Sequence, residues 1–241
     1  MTLPNAQKLY AIIDGTWPAS AKQAIGPWTI RLDDSGSSRV SAATAEQNFE
    51  GTDILLAEAA MRDAGQAPLF MIREGEDKLD EMLNALGYTI KDPVNMYAAP
   101  IDIIATERPP AVTSFEVWPP LAVQAEVWAQ GGIGAGRIAV MDRARQPKTT
   151  LLGRLNDRPA GTVYVGIAAD CAMIHALEIS STHRRQGLAK HLTRAAAFWA
   201  RDKGADYMTL VTTTANTGAN ALYSSLGMTL VGHYHYRTLP E

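Results

Sequence analysis

Apolar and polar positions alternate in two characters along the chain, and the switch between them predicts the elements. In the second half, Thr149–Leu155 and Thr162–Ala168 are β-rich runs separated by Asn156-Asp157-Arg158-Pro159, which predicts a hairpin. A third apolar strand is expected at Ala172–Ile179. From Gly187 to Lys203 the apolar residues Leu188, Leu192, Ala195 and Trp199 follow a helical period, and Gly204 closes the run. A strand at Tyr207–Thr212, a helix at Asn216–Leu226 ended by Gly227, and a strand at Met228–Arg237 complete this half.

The first half shows a similar succession. Trp28–Leu32 and Arg39–Ala43 flank the turn-rich Asp33–Ser38, which predicts another hairpin. A helix at Ile54–Ala64, a strand at Leu69–Ile72, a helix at Lys78–Leu86 and a strand at Thr89–Ala98 follow. Between the halves, Pro100, Pro109, Pro110, Pro119 and Pro120 mark a crossing segment. Without gaps, residues 68–90 laid on 208–230 align Leu86-Gly87 with Leu226-Gly227 and Thr89 with Thr229. The order of elements and these identities predict two copies of one α/β unit, over residues 1–105 and 112–241. Hairpins mixed with βα units predict mixed, mostly antiparallel sheets flanked by helices.

Bulk composition narrows the function classes. Of the 241 residues 46% are hydrophobic and 20% charged, as in a folded domain, and the net charge of −3 offers no bulk attraction to nucleic acid. The single cysteine, Cys171, suits a reducing cytoplasm and has no metal cluster around it; neither a signal-peptide pattern nor a membrane-length apolar run is present. The expected setting is cytoplasmic, with no metal, nucleic-acid or membrane partner.

Candidate chemistry concentrates in HRRQGLAKHL, residues 183–192. A strand ending at Ile179, a basic turn and a helix from about Gly187 make an anion seat. The first amides of a helix lack intrahelical partners, and its dipole puts about half a positive charge there. Gly187 permits close backbone approach, Ala189 keeps the next contact small, and Arg184 and Arg185 add positive charge. A Walker-type Lys-Ser or Lys-Thr is absent after Gly187, as are the spaced glycines of a dinucleotide fingerprint.

Arg184-Arg185-Gln186-Gly187-Leu188-Ala189 resembles the (Q/R)-x-x-G-x-(G/A) motif of the GNAT superfamily of N-acetyltransferases. It is joined by Asn216 to Met228, NTGANALYSSLGM, which resembles the family's N-x-x-A-x-x-L-Y-x-x-x-G-(F/M) helix, and the two cover residues 115–241. The resemblance implies acetyl-CoA as co-substrate. Its pyrophosphate would lie on Arg184, Arg185, Gln186, Gly187, Leu188, Ala189 and Lys190, and its pantetheine arm along the main chain of Leu177 and Ile179. Asn216 is expected to cap its helix and touch the same molecule. The partner would be an amine, small molecule or peptide, attacked directly in a ternary complex.

By the same resemblance Tyr223 is the general acid, its phenol protonated at neutral pH. Glu178 and His175 are both candidates for the base; alternation places them on opposite faces of the strand unless a bulge intervenes. An acyl-CoA sensor without turnover is the alternative. In the first half, Ala45-Glu46-Gln47-Asn48-Phe49 stands where the cradle would be, and Glu46 and Glu50 would repel a pyrophosphate, so this unit is expected to be degenerate, a packing partner or substrate wall. Gly131-Gly-Ile-Gly-Ala-Gly136 is expected as a substrate-side loop, and His233 and His235 on a solvated edge strand.

Overall fold

A computed structural model of the chain describes residues 2–46 and 50–240. In chain order its elements are α1 (Ala6–Thr16), β1 (Ala21–Ile25), β2 (Trp28–Leu32), α2 (Ser38–Ser41), β3 (Ala43–Ala45), α3 (Gly51–Asp63), β4 (Leu69–Arg73), α4 (Asp77–Ala85), β5 (Thr89–Pro100) and α5 (Ile101–Ile104). There follow β6 (Ser114–Val117), α6 (Ala122–Gln130), α7 (Ala135–Arg143), β7 (Lys148–Leu155), β8 (Arg158–Ala168), β9 (Cys171–Ile179), α8 (Leu188–Asp202), β10 (Tyr207–Thr213), α9 (Thr217–Ser225) and β11 (Thr229–Thr238).

The sheet holds 11 strands among the described residues, in the order β1-β2-β3-β4-β11-β5-β10-β9-β8-β7-β6. Most neighbours are antiparallel; β3 with β4 and β9 with β10 are parallel. Each half gives its last strand to the other. β5 pairs with β10, β11 pairs with β4, and the two exchanged strands pair antiparallel at the centre. The boundary between 105 and 112 lies in the connection from α5 to β6, while main-chain hydrogen bonding crosses between the halves in three strand pairs.

Side-chain alternation sorts the cores. Met96 of β5 packs with α1 residues Leu9, Ile12 and Ile13, whereas its neighbour Tyr97 packs with α8 and Tyr223 on the opposite face. Phe70 and Ile72 of β4 meet α3 and α4. On the α1 side of the second half, Trp17, Trp128 and Tyr164 form a further core with α6 and α7.

Several expectations are corrected. Arg39–Ser41 is not a strand but part of a short helix, Ser38–Ser41; β2 does pair antiparallel with β3, which starts only at Ala43, and the tight hairpin is β1/β2, turning at Gly26 (φ +54°). β1 escapes the pattern because its side chains face solvent on both sides, leaving no alternation. β11 is not an edge; it runs between β4 and β5, its His233 and His235 meeting Glu74 (3.3 Å) and Asp80 (2.7 Å). Tyr234 and Tyr236 face the core with α1. The hairpin at Asn156-Asp157 forms as expected, both residues at positive φ (49° and 62°), as a tight two-residue turn demands.

Candidate active site

β9 and β10 pair from Cys171–Tyr207 to Ile174–Leu210 and then part. Beyond Ile174 the β10-facing edge of β9 has no strand partner, and a cavity of about 770 Å³ occupies the gap. It is lined by the turn before α8, by α9 and by the end of β9, and it reaches both faces of the sheet.

At its mouth is HRRQGLAKHL. Arg185 (φ +63°) and Gly187 (φ +84°) bend the chain through left-handed conformations into α8. A Cβ on Gly187 would meet nothing closer than His191 Nε2 at 3.9 Å, so it is the backbone angle, not space, that selects glycine. The N-terminus of α8 has no side-chain cap; the ladder begins with His191 N–H donating to Gly187 C=O, leaving the amides of Leu188, Ala189 and Lys190 at the cavity. Uncapped amides at a helix dipole, reached by a left-handed glycine, suit a pyrophosphate. Arg184 is already engaged, its Nε donating to Ile179 C=O (3.0 Å) and its Nη2 to the Glu178 carboxylate (2.9 Å). Arg185 is exposed and unbridged among the described residues. The strand edge carrying Leu177 and Ile179 lies along the gap, their side chains packed on the α8 side. The donor set and open edge fit acetyl-CoA.

Asn216 caps α9, its Oδ1 accepting from Ala219 N–H at 3.1 Å. Tyr223 sits about two turns further along, 5% exposed, with its ring 6.0 Å from that of Tyr97. Its hydroxyl has no hydrogen-bond partner among the described residues, and burial pushes the phenol well above its ordinary pKa. Tyr97 and Asn95 of β5 both donate to Asn220 Oδ1 (2.9 and 2.8 Å), so an exchanged strand braces the helix that carries Tyr223.

On the opposite face, β9 carries a bulge. Tyr164 pairs with His175 and Thr162 with Glu178, and the extra residue is absorbed at Ala176 (φ +52°). Trp128 Nε1 donates to Ala176 C=O (2.7 Å), holding the bulge. The bulge restores both base candidates to one side: His175 bonds Thr16 of α1, and Glu178 lies beneath Gly131 at the end of α6. A Cβ on Gly131 would fall 2.5 Å from the Glu178 carboxyl carbon, which accounts for that glycine in the expected substrate-side loop.

His175 is 3% exposed. Thr16 Oγ1 donates to Ile12 C=O (2.7 Å), so it accepts from His175 Nε2–H (2.8 Å); Nδ1 then accepts from Arg39 Nη1 (2.8 Å). Burial first, and Arg39's charge second, hold the imidazole neutral, far below its ordinary pKa. Its lone pair is thus taken by Arg39. Burial pushes the Cys171 thiol up to about 12, which leaves it inert as a nucleophile. No metal-binding group of three His, Cys, Asp or Glu occurs among the described residues, and no helix there is long and apolar enough to cross a membrane. Of the first half's cradle counterpart, Gln47, Asn48 and Phe49 lie outside the described residues; Glu46 is 3.6 Å from Arg73.

Arg39, Thr16, Trp17 and Trp128 carried no motif. The nearest signal for Trp128 is its place just before the glycine-rich turn; Arg39 had none.

Residues 112–228 match the model of the Acetyltransferase (GNAT) family. The chain is similar over 98% of its length, at 22% identity, to an uncharacterized N-acetyltransferase, YobR, of Bacillus subtilis, covering 99% of it. It also matches rat N-acetyltransferase family 8 member 2 at 43% identity, over 24% of this chain and 26% of that one. Among solved structures, a GCN5-related N-acetyltransferase from Kribbella flavida superposes with a TM-score of 0.73 at 20% identity, over 98% of this chain and 96% of that one. A tandem GNAT protein from the clavulanic acid biosynthesis pathway gives 0.58 at 14% identity, over 83% and 76%. The segment 112–228, in the second half of the chain, belongs to the GNAT family of acetyltransferases, whose general reaction is acetyl transfer.

Proposed function

We propose that the second half transfers an acetyl group from acetyl-CoA to a primary amine, by direct attack in a ternary complex. One observation carries the reading: a single cavity runs through the gap between β9 and β10, with the α8 amides at its mouth, Tyr223 on one side and Glu178 on the other.

Acetyl-CoA supplies an acetyl group activated as a thioester. The amides of Leu188 to Lys190, with Arg185, hold the pyrophosphate, and the open edge of β9 at Leu177 and Ile179 orients the arm. Glu178 takes a proton from the attacking amine and Tyr223 gives one to the departing sulfur, so that a C–N bond forms as the C–S bond breaks. A phenol raised by burial stays protonated, as a donor to sulfur must. His175 is a positioning residue, neutral and bonded at both nitrogens, that aims Arg39. The first half contributes a wall: Thr16, Trp17 and Arg39 all reach the acceptor side. The lone buried thiol suits a cytoplasmic setting.

The test is thiol release from acetyl-CoA across a panel of amines and peptides. Amine-dependent release supports the reading; tight acetyl-CoA binding with no release from any amine would favour a sensor.

A further inference from the structure

Where the first half meets the acceptor side of the cavity, the lining carries the charge of Arg39. Arg39 lies over the ring of Trp17, 4.9 Å from its centroid, while its Nη1 is fixed by His175 Nδ1. This spends one of five N–H donors and leaves the guanidinium lining the cavity. Arg137 of α7 donates to Gly36 C=O (3.2 Å), three residues before Arg39. Neither arginine forms an ion pair among the described residues. Burial first and the charge of Arg39 second pull Arg137 below its ordinary pKa, against the opposing pull of Asp92.

Such a pocket disfavours a polyamine, which would bring more positive charge against it. It suits an amine that carries its own anion. A guanidinium stacked on an indole and aimed by a neutral imidazole is a preorganised fork for a planar carboxylate. The geometry points to a carboxylate-bearing amine, of the amino-acid class, as the acceptor, with its carboxylate on Arg39 and its amine toward Glu178. This rests on the acetyl-transfer reading and names the substrate class of that site. The neutrality of His175 has a purpose here: a protonated ring could not accept from Arg39 and would turn its fork away.

Matched triplets test it: L-lysine, lysinamide and cadaverine; L-methionine, methioninamide and 3-methylthiopropylamine; L-phenylalanine, phenylalaninamide and phenethylamine. Each is assayed for thiol release at fixed acetyl-CoA, with acetyl-CoA binding measured calorimetrically on the same protein. The acid of at least one triplet should exceed its amide and its decarboxylated amine by about tenfold or more in kcat/KM, the scale of one charge-assisted pair. Arg39→Met should erase that preference through KM, Arg39→Lys should keep part of it, and Arg39→Gln should erase it should Arg39→Met fail to fold. Equal rates within every triplet, faster amides, or no release from any acid would overturn the carboxylate assignment. Acetyl-CoA binding in those same samples separates the two failures, since its loss overturns the acetyl-transfer reading itself.

Discussion

His175 and Glu178 stand three residues apart on β9 yet project from the same face of the sheet, because the bulge at Ala176 absorbs one residue between them. A regular strand would have put one of them against α8. The bulge carbonyl is held by Trp128, so a tryptophan on α6 sets which groups the acceptor side receives. Of the two, His175 has both ring nitrogens engaged, whereas Glu178 has one carboxylate oxygen accepting from Arg184, so Glu178 is the base we propose.

That arrangement predicts a specific sensitivity at Gly131, whose Cα covers the Glu178 carboxyl. Gly131→Ala places a methyl 2.5 Å from the Glu178 carboxyl carbon, and that side chain must move. With φ at −88° the backbone accepts alanine. Turnover should fall about 10- to 10²-fold, within the range of a displaced general base, while acetyl-CoA affinity and thermal stability change little. Steady-state kinetics with calorimetry checks this; unchanged kcat would remove Glu178 from the proton path.

Tyr223→Phe deletes the proposed proton donor and little else, because its hydroxyl bonds to no protein group. Expected is a loss of about 10- to 10³-fold in kcat with acetyl-CoA affinity nearly kept. Wild-type turnover in this variant would leave Tyr223 as packing against Tyr97.

His175 makes stability depend on pH. Its folded pKa lies far below the unfolded value of about 6.5, so the unfolded chain binds a proton that the folded chain refuses. Stability contributed by the neutral ring is therefore full above about pH 6.5 and is lost as pH falls below it, at up to about 1.4 kcal/mol per pH unit. Denaturant unfolding of wild type and His175→Gln at pH 7.5, 6 and 5 should show the wild type losing more on acidification. Parallel losses would mean that the ring is not held neutral.

Exchange of the terminal strands makes the halves interdependent. Residues 112–241 alone would leave β10 and β11 without β5 and β4, and the His175 face without α1. This fragment should show no cooperative unfolding and no acetyl-CoA binding, and co-expression with residues 1–111 should restore both. A cooperative, ligand-binding fragment would show that the exchange is dispensable.

The site was legible where chemistry is local. The cradle, the α9 cap and Tyr223 follow from spacing within one helix and its turn, which is the range over which residue pattern and backbone geometry are tied. Strand exchange was not legible, because β5 pairs with β10 through residues more than a hundred positions apart and an apolar strand reads the same beside any neighbour. Helix α1 was overlooked although Asn5 caps it and Leu9, Ile12, Ile13 and Thr16 are spaced along one buried face. Arg39 reaches the cavity only through the packing of α1 and α2, with Thr16 on His175 and Trp17 against both His175 and Arg39, so their role is a property of the assembled sheet.

The claim on which the rest depends is that Gly187 and the amides after it seat acetyl-CoA in the second half alone. Calorimetric titration of acetyl-CoA into wild type and Gly187→Glu measures it. The account predicts a single site per chain in the wild type, and in the variant affinity weaker by at least about tenfold, since a strained left-handed glutamate puts a negative charge at the pyrophosphate. Equal affinity in the two proteins, or no binding by the wild type, would contradict it.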